Sequence, residues 1–144
     1  MNLDIVPHAI PDFQASDVLQ IRHTVKRLEL PEEFGAETTL QIGKVARYCT
    51  AMPATVASQV NLARESLGLP ALVELILPGG KPVWLAGEKA QGPVRLIAGE
   101  LVDGVHSAYF VGELLTRVRN TPEEVAAAIG AVGGQVLPIP ELMF

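Results

Sequence analysis

The chain has 144 residues, of which 49% are apolar and only 19% charged, so it has material for one core and is not disordered by composition. Its net charge of −5 argues against a general polyanion binder, and its single cysteine, Cys49, excludes an internal disulfide and a Cys-rich zinc site. No apolar run approaches the length of a membrane span and the first residues lack a basic signal region, so a cytoplasmic protein is expected.

Residues 1–14 hold two prolines and no helical period, and read as an extended arm. Ser16 then caps a helix on which Val18, Ile21, Val25 and Leu28 recur at helical spacing, ended by Leu30-Pro31. Residues 31–38 are acidic and turn-like. Ile42, Val45, Ala46 and Cys49 mark a second helix from about Leu40 to Cys49, and Pro53 suits the first turn of a third. Val56, Val60, Ala63 and Leu67 form the apolar stripe of that third helix, and Gly68 with Pro70 stops it.

From Ala71 the spacing changes to short apolar runs with turns between them. Leu72–Leu77 and Val83–Ala86 flank Pro78-Gly79-Gly80-Lys81-Pro82, and Val94–Val102 and Val105–Val111 flank Asp103-Gly104. Residues 106–119 fit strand or helix, with a change of type near Gly112. Thr121-Pro122-Glu123-Glu124 combines a capping hydroxyl, a proline at the first helical position and a carboxylate three residues after the cap, a helix start. Gly133-Gly134 ends that helix and Gln135–Ile139 adds a last strand. No internal repeat is evident. The expected fold class is α+β in one domain, 1–144: the arm, N-terminal helices over 16–68 that include a helix-turn-helix-like pair, and a sheet-rich part over 71–139. That last part comprises an antiparallel β-meander, one further helix and a last strand.

Charge is unevenly spread. Residues 1–37 carry three basic and seven acidic side chains, whereas residues 38–64 carry Lys44, Arg47 and Arg64 and no acid. The helix pair within that window resembles the DNA-binding helix-turn-helix of lactose-repressor-type regulators, with matches at Ile42, Val45, Ala46, Thr55, Val56 and Asn61. By that resemblance Pro53, Ala54 and Ser58 stand where the family reads bases, and Thr55 and Asn61 where it touches phosphates. Gln59, Asn61 and Arg64 are the side chains able to add base specificity. Lys44 and Arg47 lie in the same acid-free window. Lys81, at the tip of the hairpin that follows, suits a winged helix whose wing meets backbone phosphate, and Arg22, Lys26 and Arg27 add to the field if the first helix packs beside the pair.

Other chemistry is set aside. Pro82 follows Gly80-Lys81 where a phosphate-binding loop needs a hydroxyl residue and a helix. His8, His23 and His106 share no metal-ligand spacing, and nothing in the order of residues brings Cys49, His106 and Asp103 together as nucleophile, base and orienter. No catalytic residue, metal or cofactor is assigned. Two functions remain: a small cytoplasmic helix-turn-helix regulator, winged where Lys81 serves as its wing tip, whose partner is duplex DNA, and a non-enzymatic homo-oligomeric assembly or protein-interaction module. The low aromatic and charged content, which leaves apolar surface to be covered, favours a homo-oligomer under either.

Overall fold

Short runs rich in β-branched and aromatic residues can bury one face of an extended segment, and among the described residues strands outnumber helices. The structure, a computed structural model, describes residues 5–6, 14–24, 37–94, 96 and 104–138. It divides into two compact units, residues 1–72 and 73–144. Among the described residues two segments are α-helical, and neither is long and apolar enough to cross a membrane.

The first unit contains β1 (Ile5–Val6), a 3-10 turn at Ala15–Asp17, β2 (Val18–His23), β3 (Thr38–Ile42), β4 (Val45–Cys49) and α1 (Pro53–Ser66). Its strands are antiparallel in the order β1-β4-β3-β2, and α1 packs on β2, β3 and the 3-10 turn. Val18, Ile21, Leu40, Cys49, Val56 and Val60 are fully buried.

This overturns the expected run of N-terminal helices and the helix-turn-helix pair with it. Residues 18–23 are strand, and the remainder of that expected helix, with Lys26 and Arg27, lies outside the described residues. The helical spacing of Val18 and Ile21 arises from an irregularity in register. Val18 pairs with Ile42 but Gln20 with Gln41 and Ile21 with Leu40, so one extra residue, accommodated as in a β-bulge, turns both apolar side chains inward. The expected helix over 40–49 is a hairpin in which Ile42 pairs with Val45 and Leu40 with Arg47. Gly43 opens its two-residue turn at φ +60°, the backbone that a Gly-X turn of type II′ requires. A two-residue turn puts Ile42 and Val45 on one face three positions apart, which imitates a helix step.

The second unit contains β5 (Val73–Ile76), β6 (Pro82–Leu85), a 3-10 turn at Gly87–Lys89, β7 (Ala90–Gly92), β8 (Ser107–Val111), β9 (Leu114–Val118), α2 (Pro122–Ala131) and β10 (Gln135–Val136). β5 and β6 form the hairpin expected on either side of the Pro78–Pro82 turn. A four-stranded sheet runs β10-β7-β8-β9, antiparallel except that β10 joins β7 in parallel. The sheet is therefore not a pure meander. Residues 107–118 are strand on both sides of Gly112, and the strand expected over 94–102 falls largely outside the described residues, as does the C-terminal tail. α2 begins as its sequence predicts: the Thr121 hydroxyl accepts from the Glu124 amide at 3.2 Å and the Glu124 carboxylate accepts from the Thr121 amide at 3.0 Å.

The two units repeat one local plan. The hairpin pairing Thr38 with Cys49 and Ile42 with Val45 recurs at constant spacing as Ser107 with Val118 and Val111 with Leu114. Gly112, at φ +59°, takes the place of Gly43, and each hairpin leads into a helix with proline in its first turn, Pro53 or Pro122. Val56 and Val60 correspond to Val125 and Ile129, all fully buried. Between residues 38–60 and 107–129, identity is confined to Gly43/Gly112, Pro53/Pro122, Val56/Val125 and Ala57/Ala126. Turn, helix start and helix underside are retained; everything else differs, which hides the repeat from a reading of the residues alone.

Two stability predictions follow from this geometry. A Cβ on Gly134 would stand 2.1 Å from the Gly87 carbonyl oxygen, so Gly134→Ala is expected to cost about 1–3 kcal/mol, measured from urea midpoints. The amide and hydroxyl of Thr121, bonded to the Glu124 carboxylate, hold that group below the usual carboxylate range. A lowered folded value stabilises the protein above the unfolded value, and the gain is lost as pH falls through the folded one. Glu124→Gln is expected to remove that part of the acid-side loss in thermal melting, leaving a shallower dependence than the parent's.

Candidate functional site

Most of the residues singled out for binding lie on or beside α1, and its construction decides which of them face outward. Met52 precedes Pro53, whose missing N–H costs nothing in the first turn. Pro53, Val56, Ala57, Val60 and Arg64 recur at three- and four-residue steps and form the buried side. The helix closes where the Gly68 amide donates to the Glu65 carbonyl at 3.0 Å and the Leu69 amide to the Arg64 carbonyl at 2.9 Å.

Two of the expected DNA-contacting side chains are engaged within this unit. Arg64 is 0% exposed and its Nε donates to the Pro70 carbonyl at 2.8 Å. Asn61 is half-buried and its Oδ1 accepts from the Leu72 amide at 2.8 Å. Together they pin the segment leaving α1 back onto the helix.

The remaining candidates divide by element. Ala54, Thr55, Ser58 and Gln59 are exposed along the outer side of α1. Lys44 is exposed at the β3–β4 turn, whereas Arg47 is half-buried on β4, with Nη1 only 3.4 Å from the Ala46 carbonyl. Lys81 is exposed on the β5–β6 turn of the second unit. The structure thus groups the small and polar helix residues and separates them along the chain from the basic ones that were to accompany them. With residues 38–49 forming a hairpin, the bracing first helix of the expected motif is missing, because its apolar spacing belongs to two paired strands.

The outer side of α1 also carries residues that the apolar stripe did not announce. Leu62 is 67% exposed and Leu67, expected on the buried stripe, is 52% exposed beyond the last helical turn. Leu62 sits beside a groove of about 460 Å³ lined by Ser58, Asn61, Leu62, Glu65, Leu69 and Ala71. The sequence did contain one signal: Leu62 breaks the Val56, Val60, Ala63 spacing and so faces away from the core. Among the described residues no three His, Cys, Asp or Glu side chains gather as for a metal ion.

Comparison of the chain with protein families, with curated proteins and with solved structures finds no match in any of the three.

Arg64→Ala is expected to lower stability by about 2–3 kcal/mol, since it removes a buried stem and the charged donor to Pro70. Gln59→Ala, on the outer side, is expected to change it by less than about 0.5 kcal/mol. Denaturant midpoints for the two variants check the assignment of buried and outer sides.

Proposed function

We propose that the chain is a non-enzymatic assembly module that associates with a second copy of itself through the outer side of α1. One observation carries this reading: Leu62, exposed at the rim of a groove, on a helix side that contains no cation. Ala54, Ser58 and Leu62 lie at successive four-residue steps on one ridge. In an antiparallel pairing about a two-fold axis, the Leu62 of each copy covers the small Ala54 of the other, so the surface is complementary to itself. Glu65 is the only charge facing outward from the helix, and it lies at the groove's edge. The buried free thiol of Cys49 fits a reducing compartment, and a cytoplasmic location belongs to this reading.

Duplex DNA is less well served by the same surface. Backbone phosphates call for arginine or lysine, and the one arginine of α1 is buried.

Light scattering on the full chain is expected to give a dimer. Burying one leucine contributes about 2 kcal/mol and the symmetric pair counts it twice, so Leu62→Glu is expected to weaken dimerisation by at least about a hundredfold, with far-UV circular dichroism unchanged. A parent that is monomeric at every concentration, or a Leu62→Glu variant that dimerises as the parent does, overturns the reading. Salt-sensitive binding of duplex DNA by a monomer would favour the regulator instead.

A further inference from the structure

The second unit contains a basic cluster that the assembly reading leaves unused. β5 and β6 are joined by a turn in which the Gly80 amide donates to the Leu77 carbonyl at 2.8 Å and the Leu77 amide donates to the Lys81 carbonyl at 2.8 Å. This turn is held from outside the hairpin. The Arg119 amide donates to the Ile76 carbonyl at 2.7 Å, and Asn120 Oδ1 accepts from the Ile76 amide at 2.7 Å. Nη2 of Arg119 donates to the Pro78 carbonyl at 3.0 Å, and its guanidinium lies 3.7 Å from the place a Gly80 side chain would start. Gly104 approaches the Pro78 carbonyl from another direction, so closely that a Cβ would stand 2.6 Å from it.

The result is a fixed arginine lying against a glycine, with Lys81 as the next residue, and both cations exposed. Neither is paired with a carboxylate among the described residues. Such a pair is unexpected in a chain with five more acids than bases. Arg119 uses one N–H of Nη2 to grip the turn, which leaves the second Nη2 N–H and the N–H beside it as an adjacent donor pair. Beside them, among the described residues the Gly79 amide donates to no group and a side chain at Gly79 would meet nothing within 4 Å. A planar two-donor guanidinium, a mobile ammonium and a backbone N–H are the groups that hold a tetrahedral oxyanion.

We propose that the Pro78–Lys81 turn with Arg119 binds a phosphate group, either inorganic phosphate or the terminal monoester of a small molecule. Arg119 takes two oxygens, Lys81 neutralises charge and the Gly79 amide faces a third oxygen. The site is independent of the α1 surface and requires no self-association.

The test is amide-resolved NMR of the full chain titrated with sodium phosphate, with sodium chloride at matched ionic strength as the control. Saturable shifts are expected at Gly79, Gly80 and Lys81, at least about tenfold weaker in affinity in Arg119→Gln and in Lys81→Gln. Both positions are exposed, and a spectrum otherwise unchanged shows that each variant folds. Glycerol phosphate in a parallel titration separates the sources: tighter binding than inorganic phosphate identifies a phosphorylated small molecule, weaker binding identifies the free ion. Shifts no larger than those with chloride, shifts spread over the whole chain, or equal affinities in the parent and both variants overturn the proposal. Binding of duplex DNA without binding of either small phosphate overturns it as well.

Discussion

A glycine held near φ +60° reverses the chain at Gly43 and again at Gly112, and the arrangement of each unit depends on that reversal. With a β-carbon the same backbone is disfavoured, so the turn selects glycine there and in return fixes which residues pair. At Gly43 the pairing puts Thr38, Leu40 and Cys49, each fully buried, on one face. At Gly112 it does the same for Tyr109, Val111 and Val118. In each unit a helix follows the hairpin after a few residues, begins at a proline and supplies two buried aliphatic side chains one turn apart.

That constraint also sorts the candidate binding residues. Because Val56 and Val60 must face the sheet, residues a further turn along the same side go inward too, and Arg64 is among them. Its Nε is satisfied because the chain beyond Gly68 passes close enough for the Pro70 carbonyl to accept from it. Burial of the arginine leaves the opposite side of α1 with leucine, alanine, serine, threonine, glutamine and the single charge of Glu65, a surface suited to packing more than to phosphate. Cations that are free to act lie elsewhere, on the β5–β6 turn and at Arg119.

Residues 18–23 and 40–49 imitate a helical period while forming strands, and two local devices cause it. An irregular pairing near Leu19 brings Val18 and Ile21 to the same side three positions apart, and a two-residue turn does so for Ile42 and Val45. Apolar spacing by itself cannot distinguish these from a helix. The glycine of Gly43-Lys44 was the available sign, as was the density of β-branched residues at Thr38-Thr39 and Ile42. A resemblance built on the same spacing inherits the same ambiguity.

Local chemistry settled what is local. Thr121 through Glu124 specifies a helix start because cap, proline and carboxylate meet their partners within one turn of chain. Pro78 through Pro82 specifies a reversal for a similar reason, and Pro53 suits the first helical turn because its missing N–H has no intrahelical partner there. Tertiary structure decided the rest: that residues 40–49 pair as strands instead of coiling, that β10 joins β7 in parallel, that the Arg64 head is held by the Pro70 carbonyl, and that Arg119 meets Pro78. These outcomes depend on contacts between segments far apart in the sequence, where pairing and burial outweigh the weak preferences of individual residues.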